Sequence, residues 1–235
     1  MPAHSEFVTL KHDLKLFDLE DRIRKSDFSE IRFNRLISQI KNNPKMYGIQ
    51  FSENASAFAR TIKPNLVQFV RYMGSDIGLF FSGFGKNIEY FASELTKQDT
   101  ELFAISLGAN AEKFADALGS NIKYFINGLN DEPLRENRGY RLMLFGRGLK
   151  YNAYSFAKGI DKNITYFCKS TDIEGILNFM IGLGKYNYDF ARGLKNGNNI
   201  DSFYNGLGLF RKLLLFNELK QNHRNIYNAF IRGSV

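Results

Sequence analysis

The chain has 235 residues, 44% hydrophobic, 24% charged and 15% aromatic, with a formal net charge of +8. That much apolar material supports a packed core in one or two domains and excludes wholesale disorder. A single cysteine, Cys168, and three histidines without ligand spacing (His4, His12, His223) argue against a disulfide framework or a zinc site, so neither metal nor cofactor is expected.

Residues 1–50 lack any repeat. Leu10, Leu14, Leu16, Phe17 and Leu19 predict a first amphipathic helix. Asp27 and Glu30 have capping-box spacing ahead of Ile31, Phe33, Leu36, Ile37 and Ile40, and Asn42-Asn43-Pro44 stops that second helix. The segment reads as an N-terminal helical cap on the periodic region that begins at residue 51.

Residues 51–130 are periodic. Phe58, Phe69, Phe80 and Phe91 recur every eleven residues; Phe103 follows after twelve, then Phe114 and Phe125 after eleven each. Each unit places Asn or Asp first, an apolar residue at +1, Phe at +4, an apolar residue at +8 and often Gly at +9. One continuous helix would give such a stripe with a right-handed supercoil. So would a chain of short helices, each started by Asn or Asp and stopped by Gly. In a continuous helix Gly74, Gly85, Gly108 and Gly119 would each cost about 1 kcal/mol, and Pro64 about 3 kcal/mol. In a broken array the same glycines serve as stops, and Asn54, Asn65, Asp76, Asn87, Asp99, Asn110 and Asn121 serve as caps worth about 1 kcal/mol each. The broken array is therefore expected. Helices this short are not stable alone, so their Phe stripes must be buried against neighbouring units, as in a solenoid.

Residues 131–208 resume the pattern after Asp131-Glu132-Pro133. Pro133 suits the first turn of a longer helix reaching about Phe145, with Gly146 as its stop. Asn152, Asn163, Asp172 and Asn199 begin further units, and the one from Tyr186 to Leu194 is offset by a residue. Residues 209–235 carry a more apolar run, Leu213-Leu214-Leu215-Phe216 and Leu219, and then Asn222, Ile226 and Phe230. They read as closing helices, with peripheral membrane contact as the other use of such a run. The fold class expected is all-α: a solenoid-like array of short helices from irregular ~11-residue repeats, with longer helices at both ends.

Charge divides unevenly. Residues 51–130 sum to −1 and residues 131–235 to +7, which suits an acidic partner. Gly182-Leu-Gly184 and Gly206-Leu-Gly208 read as helix-end glycines, not phosphate loops. Glu89 with Glu94, and Glu112 with Asp116, read as solvent-facing carboxylates. Cys168 reads as a small buried hydrophobe. Lysines recur in the linkers, at Lys63, Lys86, Lys97, Lys150, Lys162, Lys185 and Lys195. Stacked linkers would bring Lys63, Lys86, Lys150, Lys162, Lys185 and Lys195 to one rim, beside helix N-termini, as an anion- or partner-binding surface. Tyr151, Tyr154, Tyr186 and Tyr188 lie close to it.

Three functions are compatible with these features. The first is a non-enzymatic helical repeat module that binds a protein partner. The second is a nucleic-acid-binding repeat using the lysine rim. The third is an enzyme with carboxylates in a concave surface. The Asn, Lys, Ile, Phe and Tyr bias resembles that of proteins from AT-rich microbial genomes, and a lone repeat domain without an enzyme motif resembles the secreted effectors of intracellular bacteria. No apolar run approaches the ~18 residues of a membrane span. The N-terminus lacks a signal-peptide pattern, so the expected location is cytoplasmic, or translocated without a cleavable signal.

Overall fold

The computed structural model describes residues 30–130 and 139–235. All their regular structure is helical, with no strand among them. The predicted helix over Leu10–Leu19, Asp27 of the proposed capping box and the break at Pro133 lie outside the described residues.

The chain divides into two compact units, Met1–Gln39 and Ile40–Val235. Within the first, the described part is helical from Glu30, and Phe33 and Ile37 are buried. Their helix, α1 (Glu30–Asn42), ends where Asn42-Asn43-Pro44 predicts, and Asn43 caps the next helix by accepting a hydrogen bond from the Met46 amide at 3.4 Å.

The second unit is an array of short helices: α2 (Pro44–Ser52), α3 (Ala55–Ile62), α4 (Leu66–Met73), α5 (Ile77–Ser82), α6 (Ile88–Ser93), α7 (Lys97–Leu107), α8 (Ala111–Leu118) and α9 (Ile122–Asn130). From residue 139 onward come α10 (Tyr140–Leu149), α11 (Ala153–Ile160), α12 (Ile164–Lys169), α13 (Ile173–Leu183), α14 (Asn187–Asn196), α15 (Ile200–Leu207), α16 (Leu209–Asn222) and α17 (Arg224–Ser234). The repeat is thus a broken array, as the glycines and Pro64 require. Gly146 does not stop α10; it lies inside that helix, against the Phe179 carbonyl.

Helices pack chiefly on the third helix along the chain, with α16 near the C-terminus the exception, so one coil contains three. Column I comprises α2, α5, α8, α11, α14 and α17. Column II comprises α3, α6, α9, α12 and α15. Column III comprises α4, α7, α10, α13 and α16. The Phe of each unit points inward and meets the next. Ring centroids are 5.4 Å apart for Phe103–Phe114, 5.3 Å for Phe114–Phe125, 5.4 Å for Phe145–Phe156 and 5.4 Å for Phe179–Phe190, all edge to face. Such pairs contribute about 0.5–1.5 kcal/mol each beyond burial. This spine of rings accounts for the Phe excess.

Small residues set the distance between coils. Helices often end in Gly-Leu or Gly-Ile, and that Gly sits against a main-chain carbonyl in the coil before: Gly128 on Glu89, Gly159 on Glu112, Gly182 on Met143 and Gly193 on Tyr154. A Cβ on Gly193 would lie 2.5 Å from the Tyr154 oxygen, closer than real Cβ atoms come. Gly182 and Gly206 are therefore packing residues within helices, not helix ends. Ala92, Ala157, Ala191 and Cys168 supply the facing small surface. Ion pairs join coils in every column: Lys158 to Glu112 at 2.8 Å in column I, Arg60 to Glu94 at 2.8 Å in column II and Arg147 to Glu101 in column III. Being exposed, they are screened by solvent and add little to stability.

Most corners are 3-10 turns that run straight into the next helix. Asn65, Asp76, Asn87 and Asn110 occupy N-cap positions as expected, yet none accepts a side-chain capping bond. The cap is redundant there because carbonyls of the turn already accept the first helical amides: Gly108 O takes the amide of Ala111, and Gly119 O that of Ile122. Side-chain caps appear only at starts without a 3-10 turn, though Asn54 and Asn199 lack both the turn and the capping bond. Thr96, not Asp99, caps α7; Asp99 is the third helical residue and completes a capping box at 3.0 and 3.2 Å. Asp172 caps α13, accepting from the Gly175 amide at 2.9 Å. Both caps lie between columns II and III. On that edge two arginines also cap the carbonyls that end column II helices. Buried Arg141 donates to the carbonyls of Ala92, Ser93 and Leu95, and Arg211 to those of Cys168 and Thr171.

Candidate functional site

The three-column architecture decides which linker lysines meet. Corners between columns III and I carry Lys150 and Lys185, in successive coils. Corners between I and II carry Lys86 and Lys162, with Lys195 at the end of α14 on the same side; the Gly119–Asn121 corner between Lys86 and Lys162 has no lysine. Lys63 begins a corner between II and III, and Lys97 opens α7 on that edge, its ammonium 4.6 Å from the Tyr140 ring centroid. A single rim is therefore not formed. Eleven residues make one side of a triangle, so consecutive linkers fall on consecutive edges.

The edge between columns III and I is the most elaborated. Lys150, Tyr151 and Asn152 form one corner; Gly184, Lys185 and Tyr186 form the next. The Tyr151 and Tyr186 rings lie 5.0 Å apart at 68°, bridging the two coils. Hydrogen bonding to the Tyr151 hydroxyl stabilises the protonated Tyr186 phenol and holds its pKa above the ordinary value. Tyr151 is 76% exposed, and the Lys185 ammonium lies 5.2 Å from the Tyr186 ring centroid. One coil further, a groove of about 610 Å³ opens between α14 and α17, lined by Lys185, Tyr188, Asn225, Ile226, Asn228 and Arg232 among others. Arg192, on the same column face, stacks over the rings of Tyr154 and Tyr188 at 5.0 and 5.5 Å and pairs with Asp189.

Lys150 stands apart from the other linker lysines for its backbone. Five other corners begin with glycine at positive φ: Gly74 at 54°, Gly85 at 54°, Gly108 at 49°, Gly119 at 53° and Gly184 at 54°; the Lys63 corner begins at φ −43°. Lys150 holds the same place at φ 47° and ψ −123°, a conformation that a Cβ disfavours. Its side chain is exposed and makes no ion pair among the described residues. Asp161 repeats the strain at φ 50°, but its carboxylate accepts from the Asn199 amide at 2.9 Å and so ties two coils together.

The other candidates serve the scaffold. Glu94 and Glu112 pair with Arg60 and Lys158 in neighbouring coils, and their columns differ. Cys168 is buried under Gly206, and burial pushes its thiol pKa far up, so it stays protonated and inert. Among the described residues no cluster of His, Cys, Asp and Glu has the makings of a metal site, and no helix is long and apolar enough to cross a membrane.

Sequence reasoning missed the groove and the Tyr151–Tyr186 pair, because both depend on three helices per coil. A signal existed. The Phe spacing lengthens to twelve between Phe91 and Phe103, to twenty between Phe125 and Phe145, and to twelve again between Phe167 and Phe179. These three steps all cross the edge between columns II and III, whereas Phe58 to Phe69 crosses it in eleven and Phe190 to Phe203 takes thirteen on the edge between I and II. Compared with protein-family models, with curated proteins and with solved structures, the chain matches none of them.

Proposed function

We propose that the protein is a helical interaction module that binds an acidic segment of a partner protein along the edge between columns III and I, from Lys150 to the groove at Arg232. The observation that carries this reading is Lys150 itself. A lysine stands where equivalent corners use glycine, at a backbone cost of about 1–3 kcal/mol, and no ion pair among the described residues offsets that cost. Departures from a repeat's own local rule concentrate at functional sites. Exposed Tyr and Arg side chains beside it are the residue types that dominate protein interfaces. The groove gives a partner side chain a place to seat.

A nucleic-acid track has less support, since the linker lysines divide among three edges and the Tyr151–Tyr186 pair meets edge-on instead of forming a parallel slot for a base. The basic surface, together with the composition, suits a translocated effector acting in a cytoplasm.

The test compares an Asp/Glu-rich peptide, its Lys-rich counterpart and a mixed single-stranded oligonucleotide by fluorescence anisotropy at low and physiological salt. The acidic peptide is expected to bind, and Lys150→Gly with Lys185→Ser to weaken it at least about tenfold. Absence of acidic-peptide binding at low salt, or binding that ignores both substitutions, overturns the proposal. Tighter binding of the oligonucleotide, lost with the same substitutions, replaces it with the nucleic-acid reading.

A further inference from the structure

The closing helix α16 is apolar on two sides, and the array uses only one. Leu215 and Leu219 are fully buried, as a closing helix requires. Leu209, Phe210, Leu213 and Leu214 are 77%, 73%, 54% and 42% exposed. Their spacing, i, i+1, i+4 and i+5, gathers them on one face at the start of the helix. A role in closing the array therefore explains half of the apolar run and leaves the other half in water.

What surrounds this face is basic. From Gly208 to Val235 the charged side chains are Arg211, Lys212, Lys220, Arg224 and Arg232 against a single acid, Glu218. Lys220 follows the stripe on the same face, and Lys220 and Arg224 are both exposed. Arg211 and Lys212 flank it, held by the Cys168 and Thr171 carbonyls and by the Tyr204 ring at 3.9 Å. The helices packed against α16 add Asp201 in the first turn of α15 and Asp172 and Glu174 at the start of α13. Leu209 and Phe210, about three quarters exposed, project from the surface and line no groove for a peptide. A second copy of this chain would bring the same positive border against itself. Apolar side chains projecting from a helix, bordered by lysine and arginine, match the interface of an anionic bilayer, where the tips enter between headgroups and the cations meet phosphate and carboxylate.

We infer that α16 docks the protein peripherally on an anionic membrane surface, through Leu209, Phe210, Leu213 and Leu214, with Lys212, Lys220 and Arg224 selecting acidic lipid. This surface is separate from the Lys150–Arg232 edge, and either can fail without the other.

Co-sedimentation of the full chain with vesicles tests it, using phosphatidylcholine alone and phosphatidylcholine with about one third phosphatidylserine. Binding to the serine-containing vesicles is expected to exceed binding to the neutral ones at least about tenfold and to weaken with salt. Phe210→Glu with Leu213→Glu should reduce it by at least about tenfold, with an unchanged circular dichroism spectrum. The chain has no tryptophan, so Phe210→Trp provides a sole reporter whose emission should shift to the blue on those vesicles. That readout stands even where the glutamate variant fails to fold. No sedimentation with the acidic vesicles at low salt, or no emission shift, overturns the inference. So does a concentration-dependent dimer abolished by Phe210→Glu in a protein that ignores vesicles.

Discussion

Along the edge between columns III and I, the first two corners read Gly74-Ser75-Asp76 and Gly108-Ala109-Asn110, while the next two read Lys150-Tyr151-Asn152 and Gly184-Lys185-Tyr186. The backbone barely changes, with φ of 54°, 49°, 47° and 54° at the leading residue. The interior barely changes either: Phe pairs at 5.3–5.4 Å fill both halves. Only the surface differs, from small and neutral or acidic to basic and aromatic. The comparison separates two layers of the sequence. Phe, the small residue after it, the Gly before the last apolar residue and that last residue specify the coil. The corner residues are free of that duty, and in the second half they have acquired chemistry.

If the interior is equivalent in the two halves, Phe114→Ala and Phe190→Ala should each lower stability by about 3–5 kcal/mol in urea denaturation. A difference between them of more than about 2 kcal/mol would break the equivalence. The coil spacing should be as unforgiving as the core. Gly193→Val is expected to cost about 1–3 kcal/mol or more by overpacking against Tyr154, and hydrogen exchange should place the loosening in α11, α14 and α17. The corner comparison sharpens with a reciprocal exchange. Lys150→Gly should raise stability by about 1 kcal/mol and Gly108→Lys should lower it by a similar amount, both read as shifts of the denaturation midpoint. A loss of stability on Lys150→Gly would mean that the lysine holds a corner together. The smallest effect distinguishes two kinds of helix start. Thr96→Ala should cost about 1 kcal/mol, whereas Asn110→Ala should stay within about 0.5 kcal/mol, because a turn carbonyl already satisfies the helix amide.

The repeating unit is legible in the sequence because a buried ring must recur wherever a short helix presents its inner face. Phe58 through Phe125 and Phe145 through Phe167 mark those helices without reference to coordinates. Gly74, Gly108 and Pro64 are equally informative, since they mark where a continuous helix would be penalised. Capping is only half legible. Asn and Asp at N-cap positions signal a helix start, but residue type alone does not reveal that the preceding turn is 3-10 and hands over its own carbonyls. The lysine edge is hidden for a different reason. Periodicity along the chain gives the length of a side, not the number of sides, so Lys63, Lys86 and Lys150 look equivalent although the triangle sends them to separate edges. The Gly-Leu and Gly-Ile endings of α9, α11, α13 and α14 carry the missing information. A glycine inside a helix, one residue before its last apolar contact, signals another backbone close by.

Those packing glycines have a consequence for how such a molecule varies. Where backbone rests directly on backbone, the rise from one coil to the next is fixed by atoms common to every amino acid, at roughly the 8 Å of the closest helix contacts, and side-chain exchange on the outside cannot alter it. The array is stiff along its axis, and its length changes only in whole coils. Removing one complete turn of three helices would bring α-helices of the same column together in an unchanged register, much as a course of bricks is lifted from a wall. Removing a single helix would rotate every later corner onto the wrong edge.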